Sequence, residues 1–172
     1  MRNIAIYKAT LDNEEIDQLK SVLQAKDDLS KVLEFEEKMV KYIGAKYAIA
    51  TATSTAALHL ALSSMRLKRG DKVLMSVNSF VNLPETVRHF DAEPIFVDIN
   101  LEDMNLDIEK FEEAIIANKS KKLRAAIITF IGGLAPNLDK IYEIAKKYNI
   151  LIIEDLVKCL LKKNLLKSLP KV

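Results

Sequence analysis

The sequence contains only one cysteine and no long apolar run, and these two features exclude a disulfide-bonded domain and a membrane-spanning helix. Cys159 cannot form an internal disulfide, and no cluster of thiols surrounds it that would hold a metal ion. A membrane-spanning helix needs about 18 or more consecutive apolar residues, and no segment of that length exists. Residues 1–4 lead into a charged helix rather than the apolar centre of a signal peptide. We expect a soluble, cytoplasmic protein with no membrane partner.

Basic and aromatic residues are not interleaved in the way that nucleic-acid-binding modules require. The formal net charge is +2, and residues 156–172 contain five lysines and no acidic residue. The rest of the chain is therefore mildly acidic. His59 and His89 have no cysteine or carboxylate at metal-ligand spacing. The sequence thus predicts neither nucleic-acid binding nor a metal site.

The first part of the chain has the apolar period of helices. Residues 12–24 and residues 32–43 each place apolar side chains three and four positions apart, and the second run ends at Gly44, where a left-handed helix cap is expected. We predict an N-terminal helical segment over residues 1–45.

From residue 46 onward, short apolar runs alternate with helix-period segments. The runs are typical of buried strands and cover residues 47–50, 73–76, 94–97, 125–130 and 150–153. The intervening helices are expected at residues 55–65, 83–90, 107–117 and 138–148. This alternation predicts an α/β three-layer sandwich with a mostly parallel sheet over residues 46–155. Ligands in such sheets bind outside the carboxyl ends of the strands.

A small, hydroxyl-rich segment, residues 51–57, follows the first predicted strand and leads directly into a helix. Small side chains let backbone N–H groups approach an anion, and the hydroxyls of Ser54 or Thr55 can add donors. The alternative is that these hydroxyls only cap the helix. The segment has neither the glycine pattern of dinucleotide-binding folds nor the lysine of a P-loop. It is therefore a candidate phosphate site without a nucleotide motif.

Two further candidates follow other strands. Phe80 comes after the second predicted strand, where its ring would either pack in the core or lie against a flat heteroaromatic ligand. Glu154 and Asp155 end the fifth, where a carboxylate would either face a cationic nitrogen or belong to a solvated turn.

The order of these segments resembles the DegT/DnrJ/EryC1/StrS family of sugar aminotransferases. These are pyridoxal-phosphate-dependent enzymes of the aspartate aminotransferase fold, fold type I. The resemblance extends from about residue 34 to residue 155, and the combination is more specific than any one segment. Its segments are residues 35–36 (FE), 42–50 (YIGAKYAIA), 54–62 (STAALHLAL), 70–73 (GDKV), 79–81 (SFV), 94–99 (PIFVDI) and 152–155 (IIED).

The resemblance implies a role for each candidate. Ser54, Thr55 and Ala56 would hold the phosphate of pyridoxal 5′-phosphate, Phe80 would stack on its pyridine ring, and Asp155 would pair with the ring nitrogen. A carboxylate there keeps the nitrogen protonated, so that electrons from the substrate can delocalise into the ring. Replacing Asp155 with alanine is expected to damage the chemistry more than cofactor binding.

The sequence also departs from the family pattern. Lys158 stands where a glutamine near the ring is expected, and Ser54 stands where glycine is usual. The family's Schiff-base lysine would lie beyond Val172, and nothing in the sequence positions Lys158, Lys162 or Lys163 to replace it. We therefore expect an incomplete large domain with no catalytic residue, which does not transaminate alone.

The intact family implies further expectations. Glutamate would donate an amino group to a nucleotide-linked keto sugar in polysaccharide or glycan biosynthesis, within a homodimer.

Residues 156–172 form a leucine and lysine tail unlike the family, which suggests a frameshift or premature stop after Asp155; the alternative is a basic helix that binds a membrane or a partner. Two other functions stay open: a non-catalytic remnant or complementing subunit that binds a partner chain, and an unrelated α/β module for small molecules.

Overall fold

The computed structural model describes residues 11–25, 30–157 and 159. The chain divides into two compact units, Met1–Ala50 and Thr51–Val172. The first unit contains helices α1, Asn13–Gln24, and α2, Ser30–Ile43. Asp12 and Glu15 form a reciprocal capping box at the start of α1, and Gly44 follows α2 with a φ of 78°. Both predicted helices are confirmed, whereas the domain boundaries at residues 45 and 155 stay predictions.

The predicted strand at residues 47–50 is wrong. These residues form no β ladder, and the side chains of Tyr47 and Ile49 are 75% and 70% exposed. A strand needs a hydrogen-bonding neighbour, but the amide of Ala50 donates to the carboxylate of Glu36 in α2 at 2.7 Å. The apolar residues of this segment therefore do not contribute to a sheet core.

The second unit contains a four-stranded, fully parallel sheet with the order β2-β1-β3-β4. Its strands are β1, Lys72–Ser76; β2, Glu93–Val97; β3, Leu123–Thr129; and β4, Leu151–Asp155. The central strands β1 and β3 are almost wholly buried, as expected for strands covered on both faces. The four other predicted strands are thus confirmed, and β2 and β4 form the edges of this sheet.

Helices cover both faces of the sheet. They are α3, Ser54–Ser64; α4, Asn82–Arg88; α5, Ile108–Ala117; and α6, Leu138–Tyr148. Because neighbouring side chains in a strand point to opposite faces, Val73 and Met75 join the core cluster of α3 and α4 while Leu74 joins that of α5 and α6. The result is the predicted three-layer α/β sandwich. No helix in the described ranges is long and apolar enough to cross a membrane.

The path of the chain creates a crevice at one edge of the sheet. From β1 the chain crosses through α4 to β2 on one side, and from β3 it crosses through α6 to β4 on the other side. These two connections leave the neighbouring strands β1 and β3 in opposite directions, which opens a gap at their carboxyl ends. The fold therefore predicts a ligand site between the segments that follow β1 and β3.

Candidate functional site

A cavity of about 390 Å³ lies at the carboxyl ends of β1, β3 and β4, within the range typical of small-molecule sites. Four of the five predicted site residues, Ser54, Thr55, Phe80 and Asp155, line it. The remaining lining residues are Asn78, Ser79, Asn82, Thr129, Ile131 and Val157. Segments that are far apart in the sequence therefore meet at one concave surface.

The N-terminus of α3 forms one wall of the cavity. Thr53 caps the helix, and its hydroxyl accepts a hydrogen bond from the amide of Ala56 at 3.1 Å. The capping interpretation is thus correct for Thr53, while Ser54 and Thr55 occupy the first helical turn and face the cavity. The amide of Ala56 is already paired, so its role in holding a phosphate stays a prediction.

Asn82, the first residue of α4, supports the same wall. Its Nδ2 donates to the hydroxyl oxygen of Thr55 at 3.1 Å. Because Thr55 accepts this bond through a lone pair, its own hydroxyl hydrogen stays available to a ligand. Sequence reasoning missed Asn82, which lies 27 residues from Thr55 along the chain and carries no local motif.

Phe80 lies in the loop that follows β1. Its ring is 66% exposed, so the alternative that it packs in the core is wrong. Two bonds hold this loop: the amide of Asn78 donates to the Ser76 hydroxyl at 3.1 Å, and the Asn78 side chain donates to the Met104 carbonyl at 3.1 Å. An exposed ring on an anchored loop is a flat apolar surface for a ligand.

The two carboxylates at the end of β4 point to opposite faces of the sheet. Asp155 lines the cavity, and one of its oxygens accepts a hydrogen bond from the Val157 amide at 3.2 Å. Glu154 accepts from the hydroxyl of Tyr142 in α6 at 2.5 Å. Burial raises the pKa of Glu154, against the smaller effect of that hydrogen bond, and it also raises the pKa of Tyr142. Only Asp155 is therefore available to a ligand in the cavity, and Glu154 is not part of a solvated turn.

The raised pKa of Glu154 predicts a pH dependence of stability. The folded protein holds this proton more tightly than the unfolded chain, so the free energy of unfolding falls as the pH rises from the ordinary pKa of 4.5 through the folded value. Glu154→Gln keeps an acceptor for Tyr142 and removes the titration. We expect denaturant unfolding to show the variant equal to wild type at about pH 4 and more stable at pH 7.

The matched control for this experiment is Glu143→Gln, on the exposed face of α6. It should leave the pH dependence of the wild type unchanged. A Glu154→Gln protein that is less stable than wild type at pH 7 would show that the ionised carboxylate stabilises the fold.

The floor of the cavity contains a polar group that the sequence did not reveal. Among the described residues, the hydroxyl of Thr129 and the side-chain oxygen of Asn82 are buried without a hydrogen-bond partner. Thr129 ends β3, is 5% exposed and lies in register with Asp155. Buried polar atoms are almost always paired. These two atoms therefore indicate a ligand or ordered water in the cavity.

A second buried amide holds the segment beside Thr129. Asn105, which is fully buried, accepts from the Ile131 amide at 3.0 Å and donates to the Leu134 carbonyl at 3.2 Å. It thereby ties the loop after β2 to the turn after β3. The sequence offered no motif for Asn105, because its partners lie 26 and 29 residues away.

The lining groups match the chemistry of pyridoxal phosphate. The helix end and two hydroxyls suit a phosphate dianion, the exposed ring suits a planar heteroaromatic, and the carboxylate suits a protonated ring nitrogen. The unpaired hydroxyl of Thr129 leaves a hydrogen bond for one more polar atom. None of the described residues that line the cavity is a lysine.

The helices and parallel sheet match part of the pyridoxal-phosphate-dependent transferase fold in solved structures. A solved structure of the same architecture is the E coli GDP-4-keto-6-deoxy-D-mannose-3-dehydratase with bound hydrated PLP, at 25% identity and a TM-score of 0.78; the match covers 90% of this chain and 41% of that one. A model of the DegT/DnrJ/EryC1/StrS aminotransferase family matches residues 9–160. The chain belongs to this family.

Curated relatives include GDP-perosamine synthase from Caulobacter vibrioides, 36% identical over 124 residues, which covers 72% of this chain and 32% of that protein. Another is the UDP-2-acetamido-2-deoxy-3-oxo-D-glucuronate aminotransferase of Pseudomonas aeruginosa, 35% identical, with 72% and 33% covered. The chain thus spans about a third of the length of these relatives. Lys158, Lys162, Lys163 and most of the predicted tail lie outside the described residues.

Proposed function

We propose that the crevice binds pyridoxal 5′-phosphate, with the phosphate at the N-terminus of α3 and the ring against Phe80. One observation carries the proposal: residues chosen from three separate sequence segments, Ser54 with Thr55, Phe80 and Asp155, line the same cavity. The parallel topology brings the ends of neighbouring strands together, and the groups that meet there are hydroxyls at a helix start, an exposed ring and a carboxylate, which are the groups that this cofactor needs. The solved dehydratase structure with bound PLP adds support.

The chemistry of the site follows from its charges. The bound cofactor supplies an electron sink for a substrate amine. The carboxylate of Asp155 holds a proton on the ring nitrogen, because an opposite charge at short range favours the charged form. The first turn of α3 presents its amide dipoles and the hydroxyl hydrogen of Thr55 to the phosphate.

None of the described residues that line the cavity could act as covalent anchor and general base. Transamination needs an amine that both exchanges with the substrate and moves a proton, and no described residue lining the cavity is a lysine. We therefore propose that this polypeptide binds the cofactor reversibly and does not transaminate alone. The anchoring lysine would come from outside the described residues that line the cavity.

The substrate class is proposed from the relatives. Two curated relatives carry the names of a GDP-sugar synthase and a UDP-sugar aminotransferase. We propose that the complete enzyme transfers the amino group of glutamate to a nucleotide-linked keto sugar for polysaccharide biosynthesis, in the cytoplasm and as a homodimer. The absence of a lysine in the described cavity also favours a second role, that of a complementing subunit which pairs with a lysine-bearing chain.

The proposal is tested by comparing pyridoxal phosphate with pyridoxal as ligands of the purified chain. Binding followed by absorbance should be saturable and about 10- to 100-fold tighter for the phosphorylated form, the effect of one or two charge-assisted hydrogen bonds. Ser54→Asp should abolish this preference, because it places a negative charge at the phosphate site while an acid in the first turn still stabilises α3. Equal affinity for both ligands would refute the phosphate site.

A further inference from the structure

We propose that Thr129 is a cofactor-binding residue whose hydroxyl bonds to the phenolic oxygen of pyridoxal phosphate. The inference rests on the proposed function. Thr129 is 5% exposed, its hydroxyl has no partner among the described residues, and it lines the cavity. A buried hydroxyl without a partner costs free energy unless a ligand or water pairs with it.

The register of the sheet sets which part of the ligand Thr129 can reach. Thr129 and Asp155 are direct partners on adjacent parallel strands, so their Cα atoms are about 5 Å apart. Alternation along β3 and β4 places both side chains on the face covered by α3 and α4, since Ile127 and Ile153 two positions earlier pack in that core cluster. The hydroxyl and the carboxylate therefore stand side by side.

Among the polar atoms of the cofactor, one remains as a hydrogen-bond partner for Thr129. The phosphate is assigned to the first turn of α3 and the ring nitrogen to Asp155. The phenolic oxygen is the ring substituent near that nitrogen which accepts hydrogen bonds and bears negative charge. An uncharged hydroxyl donor matches it, and Asp155 cannot serve because two negative oxygens repel.

The family resemblance implies a glutamine near the pyridine ring, but this chain has Lys158 at that position. Lys158 lies outside the described residues. Thr129 lies on a central strand that is buried on both faces, so its position does not depend on the segment after β4. A donor on this strand is held rigidly before the cofactor binds.

The test compares wild type and Thr129→Val, each with pyridoxal phosphate and with an analogue that lacks the phenolic oxygen, and it uses Thr129→Ser as a control. Thr129→Val should bind pyridoxal phosphate about tenfold more weakly than wild type, the effect of one hydrogen bond, while Thr129→Ser should retain wild-type affinity. Wild type should lose the same factor when the ligand is 3-deoxypyridoxal phosphate, which lacks the phenolic oxygen. Thr129→Val should bind both ligands equally.

Stability supplies a readout that does not depend on the ligand. Without cofactor, Thr129→Val removes a buried unpaired hydroxyl and keeps the volume of the side chain, so its thermal midpoint should rise by about 2–4 °C. Equal affinity of wild type and Thr129→Val for pyridoxal phosphate would overturn this inference alone. Failure of wild type to bind that ligand saturably would overturn the proposed function as well.

Discussion

Asp155→Ala is expected to weaken the binding of pyridoxal phosphate about 10- to 100-fold, because a charge-assisted hydrogen bond to the ring nitrogen is lost. Asp155 is the one carboxylate among the described residues that line the cavity, so no neighbour can replace it. Absorbance titration of the bound ligand measures this loss of affinity directly.

Asp139→Ala is the matched control for this experiment. Asp139 is exposed in the first turn of α6 and does not line the cavity. It should leave the affinity unchanged. Asp155→Asn should give an intermediate affinity, since the amide keeps the shape but not the charge. Wild-type affinity in Asp155→Ala would mean that the ring nitrogen lies elsewhere.

Phe111→Ala is expected to lower the free energy of unfolding by about 3–5 kcal/mol. Phe111 is fully buried where α5 packs on the sheet, in a cluster with Leu74 and Ile128. The loss is a large share of the roughly 5–15 kcal/mol that stabilises a typical domain. Urea unfolding monitored by circular dichroism gives the value.

Ile116→Ala provides the contrast on the same helix. Ile116 is 57% exposed, so its truncation should cost less than about 1 kcal/mol. Similar losses in the two variants would indicate that α5 does not pack on the sheet through Phe111.

The helices and four of the strands could be predicted because their signals are local. Asp107 and Asn137 cap α5 and α6 with side-chain oxygens, as residues at those positions commonly do. Residues 47–50 have the same apolar character as the confirmed strands. Strand formation depends on a neighbour, however, and the amide of Ala50 bonds to Glu36 instead. No local sequence pattern distinguishes residues 47–50 from the confirmed strands.

The residues of the candidate site also fall into two groups, those that the sequence identified and those that it did not. Ser54, Thr55, Phe80 and Asp155 follow strands or begin a helix, so a resemblance in sequence order could find them. Thr129 and Asn82 could not be found, because a threonine in a strand and an asparagine at a helix start are ordinary. Their significance comes from buried atoms without partners, which only the three-dimensional arrangement reveals.

The central proposal is that this chain binds pyridoxal phosphate in a cavity whose described lining residues include no lysine to anchor it. The most direct test is to saturate the purified chain with pyridoxal phosphate, reduce it with borohydride and locate any adduct by mass spectrometry. We predict saturable binding that dialysis reverses, with no adduct concentrated at one residue. Stoichiometric labelling of a single lysine would contradict the proposal that the chain binds the cofactor without a covalent anchor, and the absence of saturable binding would contradict the site itself.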